Sequence, residues 1–402
     1  MHEKFKWILL PELVFFQEGP GVRNHQYTST GIKLLNVANL QGGMLYLDNT
    51  ERYISEDEAY GKYKHFLVDE GDLIIASSGI KVEYFDQKMG FAKKEHLPLC
   101  MNTSTIRFKT LDSNILNIRY FMYFLKSIFF KKQLARLITG SAQLNFGPSH
   151  LKQIKVPLPS IDYQNKIVNI LDQAQELIDK RKAQIEALDE LIQSVFYDMF
   201  GDPIQNPKGF NKKAIGKEFE IKTGATPSRK DETYWDNGTI PWVKTTELKE
   251  VVIYDTDECI TELGFNNSSV NLLPKNTLLI AMYGQGKTRG MTGKLGIEAT
   301  TNQACAALLP TDKNNQDFIW IQLRCLYEEL RNLGRGGNQP NLNTNLIKSF
   351  EILFPPIELQ NQFAEIVASI QKQKELLNES LVELENNFNS LMERAFNGGP
   401  LR

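Results

Sequence analysis

Part of this 402-residue chain is written twice, and that constrains its fold more than anything else in it. A shift of 196 residues lays 137–200 over 333–396 without a gap. Identical residues then coincide: Gly140/Gly336, Gln143/Gln339, Asn145/Asn341, Lys152/Lys348, Pro159/Pro355, Ile161/Ile357, Gln164/Gln360, Asn165/Asn361, Ile170/Ile366, Leu188/Leu384 and Phe200/Phe396. A repeat on this scale dictates two related structural units. Each copy closes on a stretch without Gly or Pro, with apolar residues at heptad spacing. In the first these are Ile167, Ala174, Leu188 and Val195 on one row and Leu171, Ile178, Ile185, Ile192 and Met199 on the other. The second has Phe363, Ile370, Leu377, Leu384 and Leu391, with Val367, Leu381, Phe388 and Ala395. Such spacing is a coiled-coil seam, and the base that interrupts one heptad row in each helix, Arg181 in the first and Lys374 in the second, suits a register-fixing position. About 37 residues at 1.5 Å each make a rod of roughly 55 Å, too long for one compact domain to cover. Each helix follows a domain of similar size, so the economical pairing is an antiparallel coiled coil within the chain.

The expected fold class is therefore α+β: two similar mixed α/β domains, separated by two long helices forming an antiparallel coiled coil, with pseudo-twofold internal symmetry. Pro157, Pro159 and Pro203 bracket the first helix, and Pro355, Pro356, Gly398 and Gly399 the second. The segments are 1–158, a first domain; 159–203, a central helix; 204–355, a second domain; and 356–402, a distal helix. Short apolar runs such as 72–76 and 277–281 read as strands, and each domain ends in an amphipathic helix, near 115–137 and 318–333. Outside the helical repeat the domains match loosely: ASSG (76–79) corresponds to AMYG (281–284), and CMNTSTIRF (100–108) to TTNQACAAL (300–308).

The four cysteines are scattered and form no CxxC pair, and the five histidines lack ligand spacing, so neither disulfides nor a metal is expected and a reducing cytoplasm fits. WILLPELVFF near the start is broken by Pro11 and Glu12, and no apolar run approaches the ~20 residues of a membrane helix. A net charge of −2 argues against nucleic acid, but the charge is uneven. Residues 1–159 carry +5, and the two helical segments, 160–200 and 357–402, carry −4 and −3. Residues 101–155 hold nine bases against Asp112, a local field of the kind that draws phosphate.

The segment LLIAMYGQGKTRGMTGK (278–294) has the outline of a phosphate loop, yet the first glycine of GxxxxGK[ST] is Ala281, and the first domain's counterpart has no GK[ST]. No methyltransferase, hydrolase, metalloprotease or kinase signature is present, so the chain reads as non-catalytic. What remains is a set of basic, amide-rich and aromatic loops suited to phosphates and base edges. Their candidate DNA-binding residues are Arg23, Asn24, Gln26 and Tyr27; Ser77, Ser78 and Lys81; Arg229, Lys230, Tyr234 and Trp235; Tyr283, Gln285, Lys287 and Arg289; and Arg335 and Gln339. The aromatic, basic stretch 118–137 has helical spacing and reads as a core helix with a basic outer face, Lys131, Lys132 and Arg136, rather than a stacking platform.

Together, Gly140…Gln143, VPLP (156–159), Gln164 and the ending FYDMFGD, repeated as Gly336…Gln339, FPP (354–356), Gln360 and Phe396, resemble the specificity subunits of type I restriction–modification systems. QEGPGVR (17–23) and TGATPSRKDETYW (223–235) are similar to family members as well. The resemblance implies a non-catalytic subunit whose two target-recognition domains each read half of an asymmetric, bipartite double-stranded DNA site, with the helices setting the spacing. It also implies two methyltransferase subunits using S-adenosylmethionine, restriction subunits using ATP and Mg, and no cofactor on this chain. A stand-alone DNA-modifying enzyme and a coiled-coil scaffold without a DNA role are the alternatives.

Overall fold

The computed structural model describes residues 5–48, 50–138, 145–284, 286–334 and 341–399. Gly140, Gln143, Gln285, Arg335, Gly336 and Gln339 lie outside the described residues. The chain forms two compact units, residues 1–181 with 380–402 and residues 182–379. This division cuts both long helices, Ile161–Phe200 and Ile357–Asn397, so each unit holds half of each.

The first unit is built on a four-stranded antiparallel sheet in the order Val14–Glu18, Thr105–Thr110, Leu73–Ala76, Met89–Phe91. A smaller sheet sets Ile32–Leu35 between antiparallel Tyr53–Ile54 and parallel Leu99–Met101, and Lys6–Leu9 pairs with Lys155–Leu158. The second unit repeats the plan. Its larger sheet runs Ile221–Thr223, Cys305–Leu308, Leu278–Ala281, Thr292–Leu295, Val252–Ile253. Ile240–Val243 lies between antiparallel Cys259–Ile260 and parallel Thr300–Thr301, and Lys212–Ala214 pairs with Glu351–Leu353.

The unbroken apolar runs follow from cores on both faces of the sheets. Strand side chains alternate. Leu73 and Ile75 accordingly enter one cluster with Phe108 and Phe121, while Ile74 and Ala76 enter another with Leu35 and Leu99. Leu278 and Ile280 likewise face Phe318 and Leu323, and Leu279 and Ala281 face Val243 and Leu295. The amphipathic helices expected near 115–137 and 318–333 are each two helices. Ser127 breaks the first pair, Ile118–Lys126 and Ile128–Leu137, and caps the second member through the Phe130 N–H. Leu326 separates Gln316–Cys325 from Tyr327–Asn332. Residues 120–125 are buried throughout, so this stretch is core and no stacking platform.

Within the first unit, Ile167, Val168 and Leu171 from the start of the central helix share a core with Met392, Ala395 and Phe396 from the end of the distal helix. Within the second, Ile192, Phe196 and Phe200 share one with Phe363, Val367 and Ile370. Start meets end in both, which is antiparallel pairing. Of the heptad positions, Ile167, Leu171, Ile178, Ile192, Phe363, Val367 and Ile370 are buried, while Ile185, Leu188, Leu377, Leu381, Leu384 and Phe388 are half-buried. Lys374 reaches across its seam to Asp189 at 2.6 Å. Phe200 packs 4.7 Å from Phe318 and 5.4 Å from Phe363, and Phe396 lies 5.2 Å from Tyr120 and 5.9 Å from Phe124, which explains a phenylalanine at the end of both repeats.

The repeated glutamines join the sheet domain to the helix in each unit. Gln164 is fully buried; its Oε1 accepts the Asn117 backbone N–H (2.9 Å), and its Nε2 donates to the Ile115 and Pro159 carbonyls at 2.8 and 3.0 Å. Asn117 caps helix Ile118–Lys126 with Oδ1 and donates from Nδ2 to Asn165 Oδ1 at 2.8 Å. In the second unit Asn315 donates to Gln360 Oε1 and Asn361 Oδ1, each at 2.9 Å, and caps Gln316–Cys325. Gln360 Nε2 donates to Pro355 O at 2.8 Å. Truncating either glutamine orphans buried backbone groups. Gln164→Ala and Gln360→Ala should therefore each destabilise their own unit by about 1–3 kcal/mol, measurable by denaturant unfolding; a neutral effect would show that the amide does not hold that junction.

Candidate nucleic-acid interface

Corresponding strands in the two units are joined by connections that leave the same frame and then diverge. In the first unit residues 77–88 connect Leu73–Ala76 to Met89–Phe91; in the second, residues 282–291 connect Leu278–Ala281 to Thr292–Leu295. The Ala76 N–H donates to Lys88 O and the Ala281 N–H to Met291 O, both at 2.9 Å. One residue on, Ser77 N–H donates to Ser104 O (2.9 Å) and Met282 N–H to Ala304 O (2.8 Å). Ser77 O accepts the Phe146 N–H and Met282 O the Leu342 N–H, both at 2.9 Å, and the 196-residue shift pairs Phe146 with Leu342. The inserted content differs: a 3-10 helix, Val82–Gln87, in the first unit and a glycine hairpin in the second. Gly286 (φ +59°) and Gly290 (φ +86°) supply backbone conformations that other residues resist. A phosphate loop passes from a strand to a helix N-terminus, whereas this loop returns as an antiparallel strand, so its geometry is not that of a nucleotide site.

The sequence candidates differ in exposure. Arg23, Asn24, Lys81, Arg229, Lys230, Tyr283 and Lys287 have exposed side chains. Gln26, Tyr27, Ser78, Tyr234, Trp235 and Arg289 are half-buried. Several of the candidates are engaged within the fold. Gln26 Nε2 donates to Glu58 Oε1 (2.7 Å) and Tyr63 Oη (3.1 Å). The Tyr27 ring lies beneath the Arg52 guanidinium at 5.6 Å. Arg229 stands 3.6 Å from the Trp235 ring centroid and 4.9 Å from that of Trp242, and pairs with Glu258 at 2.5 Å. Ser77 is a correction: it is wholly buried because it continues the strand inward, so its side chain cannot meet a ligand. Gln285, Arg335 and Gln339 fall outside the described residues.

Sequence reasoning did not single out the residues that hold these loops. Asn145 Oδ1 accepts from Ser78 Oγ (2.7 Å) and the Gly79 N–H (3.1 Å), and its identity in both repeats was the available signal. Tyr327 Oη and the Arg331 guanidinium contact the carbonyls of Lys287, Gly286 and Arg289, a contact across about forty residues that no local pattern announces.

The basic field expected over 101–155 also needs correcting. Arg107 and Lys109 pair with Asp72, Lys109 also with Asp69, Arg119 with Asp172 and Lys131 with Asp86. Four of the nine bases are thus matched by acids remote in sequence, and the field is correspondingly smaller. Near Arg229, burial pushes the Glu258 carboxyl up, but hydrogen bonds and charge from Arg229 and Lys244 outweigh it and hold the group below its ordinary value.

A family model described as the type I restriction modification DNA specificity domain matches residues 26–187 and 207–386. The chain is 22% identical over 339 residues to the MjaIX specificity subunit of a type I restriction enzyme from Methanocaldococcus jannaschii, covering 80% of this chain and 76% of that one. It is 24% identical over 231 residues to the EcoR124I/EcoR124II specificity subunit of Escherichia coli, covering 54% of this chain and 56% of the relative. Among solved structures, the S subunit of a type I system from M. genitalium matches over 98% of this chain and 99% of that one, with TM-score 0.52 at 16% identity. A chain from a type I system assembly study matches over 98% and 97%, with TM-score 0.61 at 15% identity. These structural likenesses establish the shared fold.

A depressed carboxylate contributes stability above the ordinary Glu value of about 4.3 and loses it as pH falls through the folded value. Wild type should therefore melt slightly above Glu258→Gln at pH 7, with the difference closing below about pH 4. A difference independent of pH would mean that the ion pair at Arg229 is not its source.

Proposed function

The chain belongs to the type I restriction modification DNA specificity family, and from that premise we propose that each unit reads one half of a bipartite, asymmetric double-stranded DNA site. It is a specificity subunit, non-catalytic, and its role is DNA sequence recognition. One observation carries the two-reader proposal: the units share a strand frame and hydrogen-bond pattern, while the connection leaving that frame holds a 3-10 helix in one and a glycine hairpin in the other. Similar scaffolds with unlike loops would read unlike half-sites.

Exposed side chains define the proposed reading surface. Arg23, Asn24 and Lys81 in the first unit, and Lys230, Tyr283 and Lys287 in the second, are free of the burial that removes Ser77. Lysines on phosphate would supply salt-dependent affinity, while arginine and amide groups at base edges would supply sequence discrimination. The long helices would set the distance between half-sites, on the order of one DNA turn, about 34 Å. As a specificity subunit the chain works with DNA and with modification and restriction subunits. Two modification subunits carrying S-adenosylmethionine, and restriction subunits using ATP and Mg, would do the chemistry, in the cytoplasm, with no cofactor on this chain.

Exchanging residues 204–354 for the corresponding domain of another specificity subunit tests the reading. Methylation mapping should show one half of the modified motif replaced and the other kept; a change in both halves rejects two independent readers. Removing matched turns from both helices should change the spacer length and leave the bases intact. Altered bases at unchanged spacing would refute the spacing role.

A further inference from the structure

We propose that Tyr327 and Arg331 are positioning residues for sequence discrimination: they clamp the 282–291 loop through its carbonyls and thereby fix which atoms it presents to DNA. The inference rests on the reading of that loop as a DNA contact. Tyr327 Oη donates to Lys287 O at 2.7 Å and accepts from Arg331 Nη1 at 2.9 Å, so the hydroxyl is used in both directions. Arg331 Nη1 also donates to Arg289 O at 3.3 Å, and its Nη2 to Gly286 O at 2.5 Å. Three carbonyls of one short loop are thus taken by two side chains of the Tyr327–Asn332 helix. A Cβ on Gly290 would lie 3.4 Å from the backbone nitrogen of Arg331, which shows how closely the loop is laid on that helix.

Carbonyl oxygens are the negative ends of the peptide dipoles and repel phosphate. Turning three of them onto Arg331 and Tyr327 removes that repulsion from the face the loop offers outward, where Lys287 and Tyr283 are exposed. The glycines that let the hairpin turn also leave it with little stiffness of its own. An unclamped loop of this composition would sample many conformations and would lose discrimination through the cost of ordering it on each encounter. Arg331 therefore acts without touching DNA, and a lysine in its place could not span Gly286 O and Arg289 O with one planar fork. The first unit fixes its own connection by other means, through Asn145, so the effect should be confined to one half-site.

The test uses the whole modification complex, assembled with its methyltransferase subunits and supplied with S-adenosylmethionine and a DNA library randomised in both half-sites. Tyr327→Phe, Arg331→Lys and the double variant Tyr283→Ala with Lys287→Ala are compared with wild type for methylation at each base position. Loss of one or two loop hydrogen bonds should reduce discrimination at the half-site read by the second unit by roughly tenfold, with the other half-site unchanged. If the double variant relaxes that half-site and Tyr327→Phe and Arg331→Lys do not, the clamp is refuted while the loop remains a DNA contact. If the double variant changes nothing, the loop reading fails and the clamp with it. Equal loss at both half-sites would mark the two residues as structural only and overturn the proposal.

Discussion

Gln164 and Gln360 carry the arrangement on which both units depend. A buried primary amide presents an acceptor and donors in one plane, and here it spans backbone groups of the sheet domain and of the turn entering the long helix. Asn117 and Asn315 complete the joint, each capping a core helix with its oxygen while donating its amide to the next residue of the long helix. An apolar contact at this point would tolerate rotation, because dispersion has no direction. The amide pair does not, since a few tens of degrees of rotation would break bonds made by glutamine side chains that are themselves buried. A recognition domain must be aimed as well as attached, and these two side chains do the aiming within each unit.

Much of the scaffold was legible because helices and strands announce themselves locally. The heptad rows identified buried and half-buried seam positions, and the 196-residue shift paired residues such as Phe200 and Phe396 that turn out to fill similar aromatic pockets. Helix interruptions at Ser127 and Leu326 were not legible, because both fall inside apolar patterns whose spacing survives the break. The charge reading overstated the field for a related reason. Arg107 finds Asp72 and Lys131 finds Asp86 across tens of residues, so a count along the chain misjudges the field in space.

The candidate interface was legible in position but only partly in role. Composition pointed to the connections at 77–81 and 283–289, and the frame places both between equivalent strands. It could not separate a side chain that faces out from one that holds the loop. Arg229 and Trp235 have the chemistry of a DNA contact, yet they stack on each other beside Trp242 and Glu258. Arg331 resembles any other helical arginine until the two loop carbonyls it binds are known.

The core of the first unit is completed by Met392, Ala395 and Phe396, which the ribosome makes only after the whole of the second unit. At about 5–20 residues per second, the roughly two hundred residues after the first unit's own share of the central helix take some 10–40 s to synthesise. Through that interval Tyr120, Phe124 and Ile167 lack the partners that finally cover them. The second unit has no such gap, since its residues form one continuous segment. Synthesis thus completes the second unit before the first, whose core stays open until the end of the distal helix has emerged.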